Sequence, residues 1–218
     1  MPRQLKYNQA IAKALISNAD GIIEAIDKYL AKADDELSDV LADEGYADAE
    51  DSVKVINAMQ EEIAETLQNQ TDDLVEALAA EQDSGWAAAQ KKVSEMLDGD
   101  DIAEQVQEAA ADMFQTEVPK LATVYMQETD GDLVVDVIRE RTKSWISSWS
   151  QRLGQLMKIN THQQITDIIQ RTIDQGESIE TLTRKIMDGG WRNEHYQARR
   201  VAVTEVLRAH SVAREEAI

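Results

Sequence analysis

The feature that most constrains this chain is the near absence of proline. Its 218 residues include only Pro2 and Pro119. Proline lacks a backbone N–H and clashes with the preceding turn of a helix, so the rest of the chain contains no strong helix breaker. Ala, Glu, Gln, Leu and Lys, which favour helix, recur throughout. Apolar residues also recur at the steps of three and four that mark an amphipathic helix. The sequence therefore predicts an all-α, multi-helix protein.

The predicted helices are separated by short turn signals. An apolar pattern from Gln4 to Leu41 predicts helix, which Gly21 divides in two. The next pattern runs from Val53 to Leu67, and shorter helical stretches follow as far as Leu97. Asp98–Asp101 is predicted to end one helix and to cap the next.

Capping residues place the later helices. Serine, threonine and asparagine favour helix N-termini, and glycine favours the position after a helix C-terminus. Three helices are predicted on this basis, with starts at Asn160 or Thr161, at Ser178 and at Asn193, and with stops at Gly176 and Gly189-Gly190. Before them, the valine-rich stretch Leu133–Ile138 is predicted as helix, with a short strand as the alternative.

The charge is distributed unevenly along the chain, whose net charge is −20. Residues 1–130 carry 30 acidic and 9 basic side chains, whereas residues 131–218 carry 12 acidic and 13 basic ones. The change in charge coincides with two turn signals, Pro119 and Thr129–Asp132. The sequence therefore predicts an acidic helical region over 1–130 and a small helical domain over 131–218.

Composition narrows the classes of function. The chain has no cysteine, so disulfides and thiolate catalysis are excluded, and a reducing cytoplasm is expected. No charge-free stretch reaches a dozen residues and no apolar run follows Met1, so neither a membrane-spanning helix nor a secretory signal is expected. The acidic region should repel phosphates, and tight nucleic-acid binding is not expected. The acidic surface either maintains solubility, or binds a basic partner, or keeps one face of the protein clear of DNA.

The search for chemistry yields no catalytic residue, metal ligand or cofactor site. His162, His195 and His210 are far apart and show no metal-ligand spacing. The acidic turns lack the alternating ligands of a calcium loop, and Gly189-Gly190 lacks the lysine of a phosphate-binding loop. We therefore expect a protein that is not an enzyme and binds no cofactor.

Trp145 and Trp149 lie four residues apart, on one face of a predicted helix. Tryptophan at this spacing is typical of core packing, but an exposed pair of this kind also anchors partner proteins. Both interpretations remain open at this point.

The last helix places a carboxylate at the centre of an apolar face. Glu205 lies within the stripe formed by Ala198, Val201, Ala202, Ala209 and Val212. The alternative is that Glu205 lies at the rim of a loosely packed face. A buried carboxylate requires a hydrogen-bond donor, because burial removes its water. With the stripe predicted to face the helices of Ile168 and Leu182, the candidate donors are Arg171, Arg184 and the backbone N–H groups near Gly176–Ser178.

Two stretches of the C-terminal region resemble a known family. The run Gln175–Ile179, with Leu182 and Ile186 after it, precedes a helix in which Val201–Glu205 is followed by Arg208-Ala209. These residues resemble the phage head morphogenesis family, the minor head proteins similar to protein F of phage Mu. The family signature is a Gly-any-Ser turn, a short helix, and a helix reading Ile-Ala-Arg-Thr-Glu with Arg-Ala shortly after. Val203 departs from it, and so do His210-Ser211.

The resemblance covers roughly residues 133–218, and it implies a virion protein rather than an enzyme. It implies a minor head protein inside the head near the portal vertex, present in several copies, with the portal or major capsid protein as partner and the host cytoplasm as the place of assembly. The chain ends at Ile218, before the region that usually follows in the family, as in a trimmed form, a processed protein or the ordered part alone. The motif residues are Gly176, Ser178, Thr204, Glu205 and Arg208. The alternative is a generic helical adaptor or scaffolding protein that binds a partner through Trp145 and Trp149.

Overall fold

The computed structural model describes residues 36–81, 85–128, 134–135 and 137–218, with the side chains of 187–196 left out. After a helical stretch at 36–43, five helices follow: α1 (Ala49–Ala80), α2 (Trp86–Asp98), α3 (Asp101–Gln127), α4 (Glu140–Asp174) and α5 (Ile179–Glu216). No strand occurs among the described residues. The predicted all-α fold is confirmed. Of the first predicted helical segment, the part before residue 36 lies outside the described residues.

The helices are longer than the turn signals predicted. α4 continues through Asn160 and Thr161, so a helix start there was wrong. The Thr161 hydroxyl instead donates to the Met157 carbonyl within the helix. α5 likewise continues through Gly189-Gly190, so the predicted stop there and the start at Asn193 were wrong. Glycine costs a helix only about 1 kcal/mol relative to alanine, which a helix of 38 residues can absorb.

Pro119 also lies within a helix, although it was predicted to mark a boundary. Its neighbours Val118, Leu121 and Ala122 are all buried. Burial on both sides of the proline offsets the backbone hydrogen bond that its missing N–H removes. The Thr123 hydroxyl donates to the Pro119 carbonyl one turn later.

The valine-rich stretch is neither helix nor strand in the part that the structure describes. Val134 is 60% exposed and Val137 is 74% exposed, so neither gains the burial that would order a regular element. α4 begins only at Glu140. The helix predicted over 133–138 was therefore wrong for the described residues, and Thr129–Asp132 lies outside them.

Three predicted turn signals are confirmed. α2 ends at Asp98 and α3 begins at Asp101, although the side chain of Asp100 pairs with Lys158 at 2.5 Å instead of capping α3. Gly176 ends α4 with a positive φ of 66°, a backbone conformation that glycine adopts without strain. The Ser178 hydroxyl then accepts a hydrogen bond from the Thr181 N–H and caps α5.

The chain forms two compact units, Met1–Val53 and Lys54–Ile218. In the second unit, α4 and α5 form an antiparallel pair, joined at the Gly176 turn and linked near its other end by Arg139 and Glu216. α3 packs on both helices, and the backbone of Ala103 in α3 lies against Gly154 in α4. This unit includes residues on both sides of position 130. The division at 130, which rests on charge and resemblance, stays a prediction.

An apolar core joins the ends of four helices in this unit. It contains buried side chains from the second half of α1, from α2, from the end of α4 and from the start of α5. They are Leu74, Leu78, Ala89, Val93, Leu97, Ile165, Ile169, Ile179, Leu182 and Ile186. Burial of these aliphatic side chains fixes the Gly176 turn against α1 and α2.

Candidate functional site

Glu205 is buried between α4 and α5, with 2% of its surface exposed. Its Oε2 atom accepts a hydrogen bond of 2.7 Å from the indole Nε1 of Trp149. Arg208, one turn further along α5, places its Nε atom 3.1 Å from the same oxygen. The guanidinium carbon of Arg208 also lies 3.8 Å from the centroid of the Trp149 ring. We call Glu205, Arg208 and Trp149 the Glu205 cluster.

Aromatic contacts connect the Glu205 cluster to α3. The rings of Trp145 and Trp149 are parallel within 2°, with centroids 6.3 Å apart. Trp145 in turn meets the buried Phe114 of α3 edge to face, with centroids 5.2 Å apart. Each tryptophan is half-buried. The cluster and its aromatic neighbours therefore hold three helices together.

The pKa of Glu205 depends on its burial and on two contacts that partly offset the effect of burial. Burial raises the pKa of its carboxyl above the ordinary value, while the Trp149 hydrogen bond and the Arg208 charge act in the opposite direction. The net direction is upward, so loss of solvent outweighs the two contacts. Because the carboxylate is almost inaccessible from solvent, it is suited to fixing helix positions and not to meeting a substrate.

The donors predicted for Glu205 were wrong, because α5 is continuous from Ile179 to Glu216. Leu182 and Glu205 lie on the same helix and are about 35 Å apart along it, at 1.5 Å per residue. Arg171 pairs with Asp167 of its own helix, and Arg184 contacts Thr181. The true donor, Trp149, was singled out by its spacing but not connected to Glu205. The sequence contained a reason to connect them, because a half-buried indole N–H requires a hydrogen-bond acceptor.

The structure does not bring the five motif residues into one site. Gly176 and Ser178 form the turn between α4 and α5, about 40 Å from Glu205 along α5. Thr204 is exposed, and its hydroxyl donates to the Arg200 carbonyl in its own helix. Only Glu205 and Arg208 meet. The use of Trp145 and Trp149 as a partner contact stays a prediction, since their described contacts are internal.

A second buried polar contact joins α3 to α5, and no spacing or motif in the sequence predicted it. The Nδ1 atom of His210 lies 2.8 Å from the Tyr125 hydroxyl, and His210 has 0% of its surface exposed. Burial and the nearby Arg214 charge lower the pKa of His210 to about 4. His210 is therefore neutral at pH 7, and one of its ring nitrogens hydrogen-bonds Tyr125.

A third polar contact holds the end of α5 against the start of α4. Glu216 is 6% exposed, and one carboxylate oxygen accepts a hydrogen bond of 3.1 Å from the backbone N–H of Arg139. Its other oxygen accepts from the Thr142 hydroxyl. An acidic group at a helix N-terminus satisfies free N–H groups and interacts favourably with the helix dipole.

The remaining histidines lie apart from these contacts. His162 is half-buried beside Leu97 and Ile169, and burial, with the nearby Lys158 charge, lowers its pKa. The side chain of His195 lies outside the described part. Within the described ranges, no three acidic or histidine side chains are placed to hold a metal ion. No helix in those ranges is long and apolar enough to cross a membrane.

The chain is similar to a protein of Bacillus subtilis. The uncharacterized protein YqbB of Bacillus subtilis (strain 168) is 26% identical over 210 residues, which cover 92% of this chain and 68% of that protein. An alignment of this extent includes residues on both sides of position 130. No family model matches the chain. No solved structure matches it either.

Proposed function

We propose that this chain is a phage minor head protein of the head morphogenesis class, a structural and assembly component inside the head near the portal vertex. The observation that carries the proposal is the placement of the family-like residues Glu205 and Arg208. Both take part in the contact that fixes α5 against α4. In an assembly protein, a motif of this kind maintains a binding surface on rigid helices.

Two further motif residues, and two alanines beside the motif, support the same interpretation. Gly176 and Ser178 form the turn that reverses the chain between the two long helices. Ala202 and Ala209 are fully buried, and their small size allows close helix packing. Each of these residues shapes the helix pair, as expected when a motif specifies a scaffold and not a reaction. The name of the relative assigns no activity, so the motif carries the proposal.

The proposal predicts a stable complex with a portal protein. The chain should be co-expressed with the portal protein of the genome that encodes it and analysed by size-exclusion chromatography and mass spectrometry. We expect several copies of the chain to elute with the portal ring. A matched control replaces the portal with an unrelated ring-shaped protein of similar size. Separate elution of chain and portal at micromolar concentrations would contradict the proposal.

The alternative is a helical adaptor that binds through the tryptophan face, favoured by the partial exposure of both rings. The indole N–H of Trp149 is already used by Glu205, so mainly ring surface remains for a partner. Genomic neighbours separate the two functions. Portal and major capsid genes beside this one favour the head protein, and other neighbours favour the adaptor.

A further inference from the structure

One side of α4 carries a continuous stripe of aromatic, aliphatic and basic residues. The outer stripe of α4 consists of Trp145, Trp149, Arg152, Leu156 and Ile159. Their spacing of four, three, four and three places them within an arc of about 80° on the helix. Leu156 is 43% exposed and Ile159 is 57% exposed, which is unusual for large aliphatic side chains on a helix that packs against the core.

The stripe lies in the least acidic part of the molecule. Residues 141–166 contain no Asp or Glu, but they contain Arg141, Arg152 and two lysines. Arg152 is exposed, and none of the ion pairs among the described residues includes it. In a chain with a net charge of −20, a helix surface without acids is a distinct feature. It suits a partner that presents carboxylates around apolar surface.

A surface with complementary charge exists on this same chain. The acidic face consists of Glu62 and Glu65 on α1 and Glu108 and Asp112 on α3, all of them exposed. Partial burial raises the pKa of Glu62, and the charges of Asp112, Glu108 and Glu65 raise it further. The four carboxylates therefore repel one another, and a positive partner would relieve the repulsion.

The two surfaces point in different directions. On α3, Glu108 and Asp112 lie about 140–180° around the helix from Ala103, at 100° per residue. Ala103 is the residue whose backbone contacts Gly154 of α4. The acidic face is thus turned away from α4, and one copy cannot place its own acidic face on its own stripe.

From this geometry we propose that the outer stripe of α4 binds the acidic face of a second copy of this chain. Because two different surfaces meet, the contact is heterologous: one copy keeps its acidic face free for a further neighbour, and the other keeps its stripe free. Such contacts form rings when the rotation closes and open filaments when it does not. The association involves this chain alone and does not depend on the proposed portal partner.

Sedimentation velocity of the purified chain over a concentration series tests the proposal. We expect the average mass to increase with concentration, and the association to weaken about tenfold or more between about 0.05 M and 0.5 M NaCl, because the contact is partly ionic. Leu156→Asp with Ile159→Asp should weaken it at least about tenfold, since two carboxylates then face the acidic surface. The control is Arg184→Glu, an exposed charge reversal outside the stripe.

A charge exchange makes the test specific. The variant Arg152→Glu and the variant Glu108→Lys with Asp112→Lys should each associate more weakly than the wild type. Mixing the two variants should restore association, because the Arg152→Glu stripe then meets a face in which lysine has replaced two of the four acids, and the native stripe meets the unchanged acidic face. Circular dichroism verifies that each variant is folded. A chain that is monomeric at all concentrations overturns the proposal, as does a closed dimer, or association that the stripe variants leave unchanged.

Discussion

A buried carboxylate is costly unless hydrogen-bond donors replace the water that it loses. Glu205 gains the Trp149 indole and the Arg208 guanidinium, and the raised direction of its pKa shows that the replacement is partial. The two partners differ in kind. Trp149 donates a directed hydrogen bond, whereas Arg208 supplies charge and also covers the indole ring.

Substitution at Glu205 should separate these two contributions. Glu205→Gln keeps an oxygen for Trp149 and loses the ion pair, so we expect a loss of about 1 kcal/mol in the free energy of unfolding. Glu205→Leu leaves the indole N–H and the guanidinium without their acceptor, and a loss of about 2–4 kcal/mol is expected. Urea denaturation measures both. Glu215→Leu, on the exposed surface of the same helix, is the control. Equal effects of Gln and Leu would exclude the Trp149 hydrogen bond as a stabilising contact.

His210 should make stability depend on pH. Its pKa is about 4 when folded and about 6.5 when unfolded, so between these values the unfolded chain binds more protons. Stability should therefore fall as the pH decreases from about 6.5 to 4, by at most about 3 kcal/mol from this group. Glu205 acts in the opposite direction, because its folded pKa is raised.

Comparison of the wild type with His210→Gln isolates the contribution of His210 to the pH dependence of stability. Unfolding free energies of the wild type and of His210→Gln should be measured by urea denaturation from pH 7 down to pH 4. As the pH falls, we expect the free energy of unfolding to decrease more for the wild type than for His210→Gln. Parallel profiles would mean that His210 takes up a proton without cost in the folded protein.

At the scale of elements, the close contact between α3 and α4 depends on the absence of a side chain at Gly154. A Cβ added at Gly154 would lie 2.1 Å from the backbone carbonyl oxygen of Ala103. Neither backbone can move without displacing a whole helix, because α3 and α4 are long and regular. Gly154 therefore sets the distance between α3 and α4 in the same way as small residues do at other close helix contacts.

Gly154→Ala should be destabilising although alanine is the better helix former. The intrinsic gain of about 1 kcal/mol is outweighed by the contact with Ala103, and a net loss of about 2–3 kcal/mol is expected. Gln155→Ala, at an exposed neighbouring position of the same helix, should be nearly neutral. Thermal and urea unfolding measure both variants. A stabilised Gly154→Ala protein would show that the two helices separate easily.

The sequence predicted helices well and helix ends less well. Periodicity follows from local backbone geometry, so the apolar stripes of α1, α3 and α4 could be read directly. Pro119 and Gly189-Gly190 are also local signals, but buried neighbours of Pro119 and the length of α5 override them. Gly176 and Ser178 were predicted correctly because no such tertiary effect opposes them there.

At the scale of the whole molecule, contacts between distant residues could not be predicted from spacing. Glu205 was recognised as buried from its own helix, but its pairing with Trp149 depends on how α4 and α5 are aligned. That alignment is set by the Gly176 turn together with the full length of both helices. The pairing of Tyr125 with His210 depends further on α3, 85 residues away in sequence.

The α4–α5 pair also determines how the protein responds to mechanical load. Arg139 and Glu216 lie side by side at the open end of the pair, and the Gly176 turn closes the other end. A force that pulls these two residues apart acts across the helix axes, so it strains the contacts one after another from the open end. The Glu216 contacts would break first, the contact of His210 with Tyr125 next, and the Glu205 cluster after it. A force along the helix axes would instead strain many contacts at once. The α4–α5 pair therefore resists a force along the axes far better than a force that separates the helices from their open end.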